Sequence, residues 1–176
     1  VYKRQVLYGW SRARKAARRG LPVIVVEGYM DVIAVSSSGV AAAVAPLGTA
    51  LGEDQFRLLW KLSNDPVLCF DGDKAGQIAA QRAIERVLPL LEPGRSVRLA
   101  VLPEGQDPDD ILRQKGPDGL RRILSTATGL LDSLWASKAA DYHLDNPRTQ
   151  AGAKAAFWQD MRDLVRSITH HQTRRA

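Results

Sequence analysis

The sequence predicts an α/β fold, with a mostly parallel sheet covered by helices on both faces. Three observations carry that expectation. Short β-branched runs alternate with helical patterns in the order β-α-β-α-β-α-β, the order of crossover units. Hydrophobic residues make up 45% of the 176 and charged residues 25%, a globular balance. After about residue 125 the strand signals cease and only helical spacing continues.

The first strand is LPVIVV (21–26), bounded by Gly20 and by Glu27-Gly28. MDVIAVSSS (30–38) reads as a helix stopped at Gly39. VAAAV (40–44) is the second strand, PLGTALG a loop, and EDQFRLLWKL (53–62) a helix. PVLCF (66–70) is the third strand, and a helix runs from Lys74 to about Leu88 before Pro89 and Pro93-Gly94 end it. VRLAVL (97–102) alternates like a strand; PDDILRQ and PDGLRRIL are short helices separated by Gly116. LLDSLWASKAADYHL is helical, and Asn146-Pro147 resembles an N-cap followed by a first-turn proline. Ala151, Ala155, Trp158, Met161, Val165 and Ile168 then recur at helical spacing, which predicts one face packed on a neighbour.

No apolar run approaches the roughly 20 residues needed to span a bilayer, and no secretory signal pattern is present. The lone Cys69 lies in the apolar run VLCF and is expected to be a core residue in a reducing compartment. The chain begins with Val1, not Met, and is read as a piece of a longer protein whose first five residues, VYKRQ, could be foreign. The formal charge is +6, yet Lys3, Arg4, Arg12, Arg14, Lys15, Arg18 and Arg19 fall in residues 1–20 with no acid among them. Everything after that segment is close to neutral. A solvated helix face and contact with a polyanion both fit; composition alone favours the first.

The stretch VLCFDGDKAGQIAA (67–80) runs a buried strand straight into Asp71 and Asp73, with only Gly72 between them. Like charges about 4 Å apart repel by roughly 4 kcal/mol at an effective dielectric near 20. In an open parallel sheet, ligands bind beyond the carboxyl ends of the strands. Glu27 follows the first strand, Asp71 and Asp73 the third, and Asp107, Asp109 and Asp110 come shortly after the fourth. Each has a structural reading: Asp107-Pro108 suits a helix start, and Asp71-Gly72-Asp73 suits a turn opening the next helix. Together they form a carboxylate cluster at one sheet edge. His143, His170 and His171 lie far off, so no zinc set is present; hard oxygen ligands select Mg²⁺ or Mn²⁺. A cation would keep the repelling carboxylates ionised.

VVEGYMDVIAV, APLGTAL, FDGDKAGQIAA and LPEGQDPDDIL stand in the order and spacing of the bacterial DnaG-type primases, and together resemble the TOPRIM module of their RNA polymerase domain. LYGW (7–10) resembles the segment that leads into it. The glutamate and the Asp-x-Asp pair are shared by all TOPRIM proteins; EGYMD, LGTAL and DPDDIL are narrower. The likeness covers about residues 3–125. It implies a TOPRIM (Rossmann-like) domain at 21–125, a basic lead-in from the preceding polymerase subdomain at 1–20, and a truncated helical subdomain at 126–176. It implies that Glu27, Asp71, Asp73, Asp107 and Asp109 hold Mg²⁺ or Mn²⁺, two or more ions with nucleotide bound. Glu27, Asp71 and Asp73 would be the catalytic set. Lys3 and Lys74 would meet template or nucleotide, and Gly48 and Thr49 flank the site.

The activity so implied is synthesis of short RNA primers on single-stranded DNA from ribonucleoside triphosphates, by a DNA-directed RNA polymerase of the bacterial cytoplasm, at the nucleoid replication fork. The family's zinc-binding domain, the first half of its polymerase domain and its domain for the replicative helicase have no counterpart here. The segment alone is therefore expected to make little or no primer. The alternatives are another TOPRIM enzyme, a topoisomerase or OLD-type nuclease, and a non-catalytic nucleic-acid-binding module.

Overall fold

The protein is described by a computed structural model, which covers residues 6–46, 48, 50–146, 148 and 150–175. The elements in order are β1 (Leu7–Tyr8), α1 (Trp10–Ala17), β2 (Val23–Val25), α2 (Tyr29–Ser38), β3 (Ala42–Pro46), α3 (Glu53–Leu59), β4 (Val67–Phe70) and α4 (Lys74–Val87). There follow β5 (Arg98–Val101), α5 (Pro108–Ser125), β6 (Thr128–Gly129), α6 (Leu130–Asp141), α7 (Ala151–Ser167) and α8 (His171–Arg175). The sheet order is β1-β3-β2-β4-β5-β6. The four central strands are parallel, and a two-residue strand runs antiparallel at each edge.

The central strands are buried on both sides, and their period of two divides the core. Val23, Val25, Ala42, Val44, Leu68, Phe70 and Leu99 face one layer, shared with Ala13 of α1, Phe56 of α3, Ala83 and Val87 of α4, and Leu134 of α6. Ile24, Val26, Ala43, Ala45, Val67, Cys69 and Ala100 face the other, against Val32 and Val35 of α2 and Ile111, Leu120 and Leu124 of α5. Burial pushes the Cys69 thiol up to about 12, so it packs as an inert side chain. Phe56 is fully enclosed on α3. Phe56→Ala is expected to cost about 3–5 kcal/mol, read as a lowered urea midpoint with an unchanged slope.

Three readings of the sequence are corrected. Strand pairing does not cease at 125: β6 closes the edge of β5, with Arg98 opposite Gly129. The helix expected after Asn146 starts later, with Gln150 as its N-cap; Pro147 lies outside the described residues. The buried face of α7 runs through Phe157, Met161, Leu164 and Ile168, whereas Trp158 and Val165 are 52% and 38% exposed. Phe157 and Trp158 are neighbours, and only one ring can point inward. The break expected at Gly116 is present: its φ of 65° and ψ of −174° split α5 into two helical pieces.

Candidate active site

Parallel pairing of β2 with β4, in the register Ile24 to Val67, brings the ends of these strands side by side. Glu27 and Asp71 thus become neighbours across 44 residues of chain: the Asp71 amide donates to Glu27 Oε1 at 3.2 Å. β5 lies on the other side of β4, with Phe70 opposite Val101. Beyond it, the Gly72 amide donates to the Gln106 carbonyl at 3.2 Å, and the Gly105 amide to the Gly72 carbonyl at 3.4 Å. These bonds lace the turn bearing Asp71 and Asp73 to the turn leading into Asp107.

Asp73 and Asp107 each open a helix. Asp73 Oδ1 accepts from the Gly76 amide at 2.7 Å and caps α4; Asp107 Oδ1 accepts from the Asp110 amide at 2.7 Å and caps α5. Such caps satisfy amides that the helix itself leaves open. Asp109 and Asp110 both meet the Arg113 guanidinium, at 3.3 and 2.7 Å. Lys74, the first residue of α4, is exposed beside Asp73. Gly48 adopts a φ of 65°, which fits a turn. Lys3 and Thr49 lie outside the described residues.

Asp71 is the electrostatic centre. Its Oδ1 is buried and accepts no hydrogen bond. Burial, and then Glu27, Asp31, Asp107 and Asp73, push its carboxyl up to about 7.

Asp31 is an acid that sequence reasoning passed over. It is 7% exposed, its Oδ2 accepts from the Gly28 amide at 3.2 Å, and the Asp109 amide also donates to it. Burial, then the nearby Asp107 charge, raises its pKa. It ties the turn after β2 to the start of α5. Its signal was present in the sequence: it stands three residues after Gly28, at the spacing of a reciprocal cap.

Among the described residues, no three Asp, Glu, His or Cys side chains converge as a ready-made metal cage. Glu27 and Asp71 adjoin, with Asp73 and Asp107 around them engaged as caps. The donor set nonetheless suits a hard divalent cation. All the donors are carboxylate oxygens, and one is buried without a partner. Mg²⁺ takes one or two carboxylates and fills its shell with water and phosphate oxygens.

The family model of the Toprim domain matches residues 22–100. The DNA primase of Pseudomonas aeruginosa is 48% identical over 132 residues, 74% of this chain and 20% of that protein. That of Escherichia coli K12 is 37% identical over 150 residues, 85% of this chain and 26% of that protein. The chain therefore spans about a quarter or less of these relatives' length. Among solved structures, a DNA primase domain from Pseudomonas aeruginosa superposes with a TM-score of 0.86 at 39% identity, covering 98% of this chain and 53% of that one. A DnaG catalytic core gives 0.84 at 33% identity, covering 98% and 54%. The Aquifex aeolicus primase, solved with its zinc-binding and RNA polymerase domains, gives 0.74 at 31% identity, covering 98% and 39%. The strand-end acids and these matches lead to one conclusion: the chain belongs to the bacterial DnaG-type primase family and corresponds to the Toprim part of its catalytic core.

Proposed function

We propose that this chain is the cation-holding part of a primase catalytic core, serving metal-dependent synthesis of short RNA primers on single-stranded DNA. The observation that carries this reading is the buried, unpartnered Asp71 Oδ1, held beside Glu27 at the carboxyl ends of adjacent parallel strands. A DnaG primase catalytic domain bound to single-stranded DNA, 32% identical, supports the template assignment.

Primase Toprim domains as a class bind divalent metals. Mg²⁺ or Mn²⁺ bound here would supply the positive charge that activates an attacking hydroxyl and stabilises the departing pyrophosphate. Glu27 and Asp71 would hold that charge, and Asp73, Asp107 and Asp109 are the acids assigned to complete the set. The starts of α4 and α5 add their positive dipole ends toward the phosphates. Lys74 offers its ammonium to the triphosphate or template backbone, a contact that positions without reading sequence. Ribonucleoside triphosphates, the other wall of the template groove, zinc in a separate domain and a replicative helicase are assigned to the whole primase.

Glu27→Gln keeps the shape and removes one negative charge. It is expected to weaken Mn²⁺ binding at least tenfold, about 1.4 kcal/mol, by electron paramagnetic resonance, with unchanged circular dichroism. In the whole primase the same change should abolish primer synthesis and spare DNA binding. Undiminished Mn²⁺ affinity and synthesis would leave this segment only a scaffold role.

A further inference from the structure

The cations of α1 take no part in the site described above. Arg12, Arg14 and Lys15 lie on the helix, and Arg18 and Arg19 in the turn that follows it. All five are exposed, and among the described residues none makes an ion pair. The opposite face of α1 is spent on the core through Ala13, Trp10, Ala16 and Ala17. The first acid in the chain is Glu27.

The helix dipole explains only part of this arrangement: Arg14 and Lys15 lie in the last turn of α1 and Arg18 caps it. The pairs Arg14–Arg18 and Lys15–Arg19 are like charges four residues apart, which repel on a helix surface. Cations near a helix C-terminus gain from the dipole, but only within the last turn, and Arg12 lies before it. Five unpaired cations, crowded on one outward face, form a stripe complementary to a polyanion.

We propose that α1 docks the phosphate backbone of double-stranded nucleic acid, at a surface separate from the carboxylate site. Arg18 and Arg19 lead into β2 at the end of the sheet opposite the one that carries Glu27. The choice of duplex follows from what the face lacks. Trp10, the ring of α1, is partly buried against the core, and the exposed positions of the stripe carry no aromatic side chain on which the bases of a single strand could stack. A duplex turns its phosphates outward, at about one charge per 1.7 Å of axis, and contacts to them release counterions without reading sequence. The surface would hold duplex while the acids at the other end of the sheet do their separate work.

The test compares three forms of the 176-residue chain: wild type, R12Q/R14Q/K15Q/R18Q/R19Q, and R57Q/R95Q/R121Q/R162Q/R166Q. The two variants have the same net charge, but the second set removes cations that already hydrogen-bond to neighbours. Binding of a labelled duplex of about 20 base pairs is followed by fluorescence anisotropy between about 25 and 200 mM NaCl. The α1 variant is expected to lose at least tenfold in affinity at the lowest salt. Its log–log salt slope should flatten by about 4.5, near 0.9 for each of the contacts removed. The second variant should change less than threefold. Equal losses in both variants would reduce the effect to net charge and overturn the proposal. So would tighter binding of single strand than duplex, or binding of anionic vesicles in place of duplex. Should the fivefold variant not fold, R14E/R18E carries the same test, because both side chains point to solvent. Glu27→Gln should leave duplex affinity unchanged, which separates this surface from the proposed cation site.

Discussion

Gly72→Ala is expected to melt about 10 °C below the wild-type chain, a loss of about 3–5 kcal/mol. A Cβ at Gly72 would lie 1.9 Å from the Pro103 carbonyl oxygen and 2.6 Å from that of Leu102. Both are backbone atoms and cannot rotate aside. Relief requires the ends of β4 and β5 to part, which breaks the bonds from Gly72 to Gln106 and from Gly105 to Gly72. Overpacking costs about 1–3 kcal/mol or more, and each lost hydrogen bond about 1 kcal/mol. The same displacement moves Asp71 and Asp73 away from Asp107, so Mn²⁺ binding should fall with stability. Gly39→Ala is the control. Its φ of 69° and ψ of 13° are left-handed but nothing lies within 4 Å, so only left-handed strain of about 1–2 kcal/mol is expected. Calorimetry of both variants decides the matter: equal losses would show that the two acid-bearing turns are not locked together through Gly72.

Asp71→Asn is expected to stabilise the metal-free chain at pH 8 and to remove its response to Mn²⁺. The folded carboxyl titrates near 7, and an unfolded aspartate near 3.9. The folded state therefore retains a proton, between these values, that the unfolded state has lost. Asp71's contribution to stability is highest below about pH 4 and is lost as pH rises through about 7. Burial and the surrounding carboxylates cause the loss, and asparagine removes the charge on which both act. The group is half-exposed, so solvent screens part of the effect. A gain of about 1 kcal/mol, or about 3 °C, is expected at pH 8 in chelator. With Mn²⁺ the order should reverse, since wild type gains a ligand and the variant does not. Melting curves at pH 5 and 8, with chelator or Mn²⁺, test each limb. A variant that melts below wild type at pH 8 in chelator would show that Asp71 is not under repulsion.

The four central strands were legible because β-branched runs buried on both faces leave a strong local signal, as in PVIVV and PVLCF. β1 and β6 were not, because two residues hold no periodicity and their pairing is decided by β3 and β5. The phase of α7 was misread because Phe157 was left out of its apolar stripe. Placement of the acids followed from strand order, since parallel strands bring their carboxyl ends to one edge. Their orientation did not follow: the capping bonds of Asp73 and Asp107 depend on dihedral angles, and the burial of Asp31 on how α2 meets α5. The cap reading of Asp107 and the cluster reading were drawn as rivals, whereas in the structure Asp107 caps α5 while its charge still acts on Asp71.

The proposed double duty of Asp73 and Asp107, helix caps beside a cation site, imposes a length rule on the carboxylates. A side chain that must bend back to an amide three residues ahead has to be short, so glutamate at either position would overshoot and leave its helix start bare. Glu27 starts no helix; it must instead bridge from one strand to the next, and the extra methylene provides that reach. Exchanging the two acid types would keep every charge in place and still dismantle the pocket, one helix start at a time.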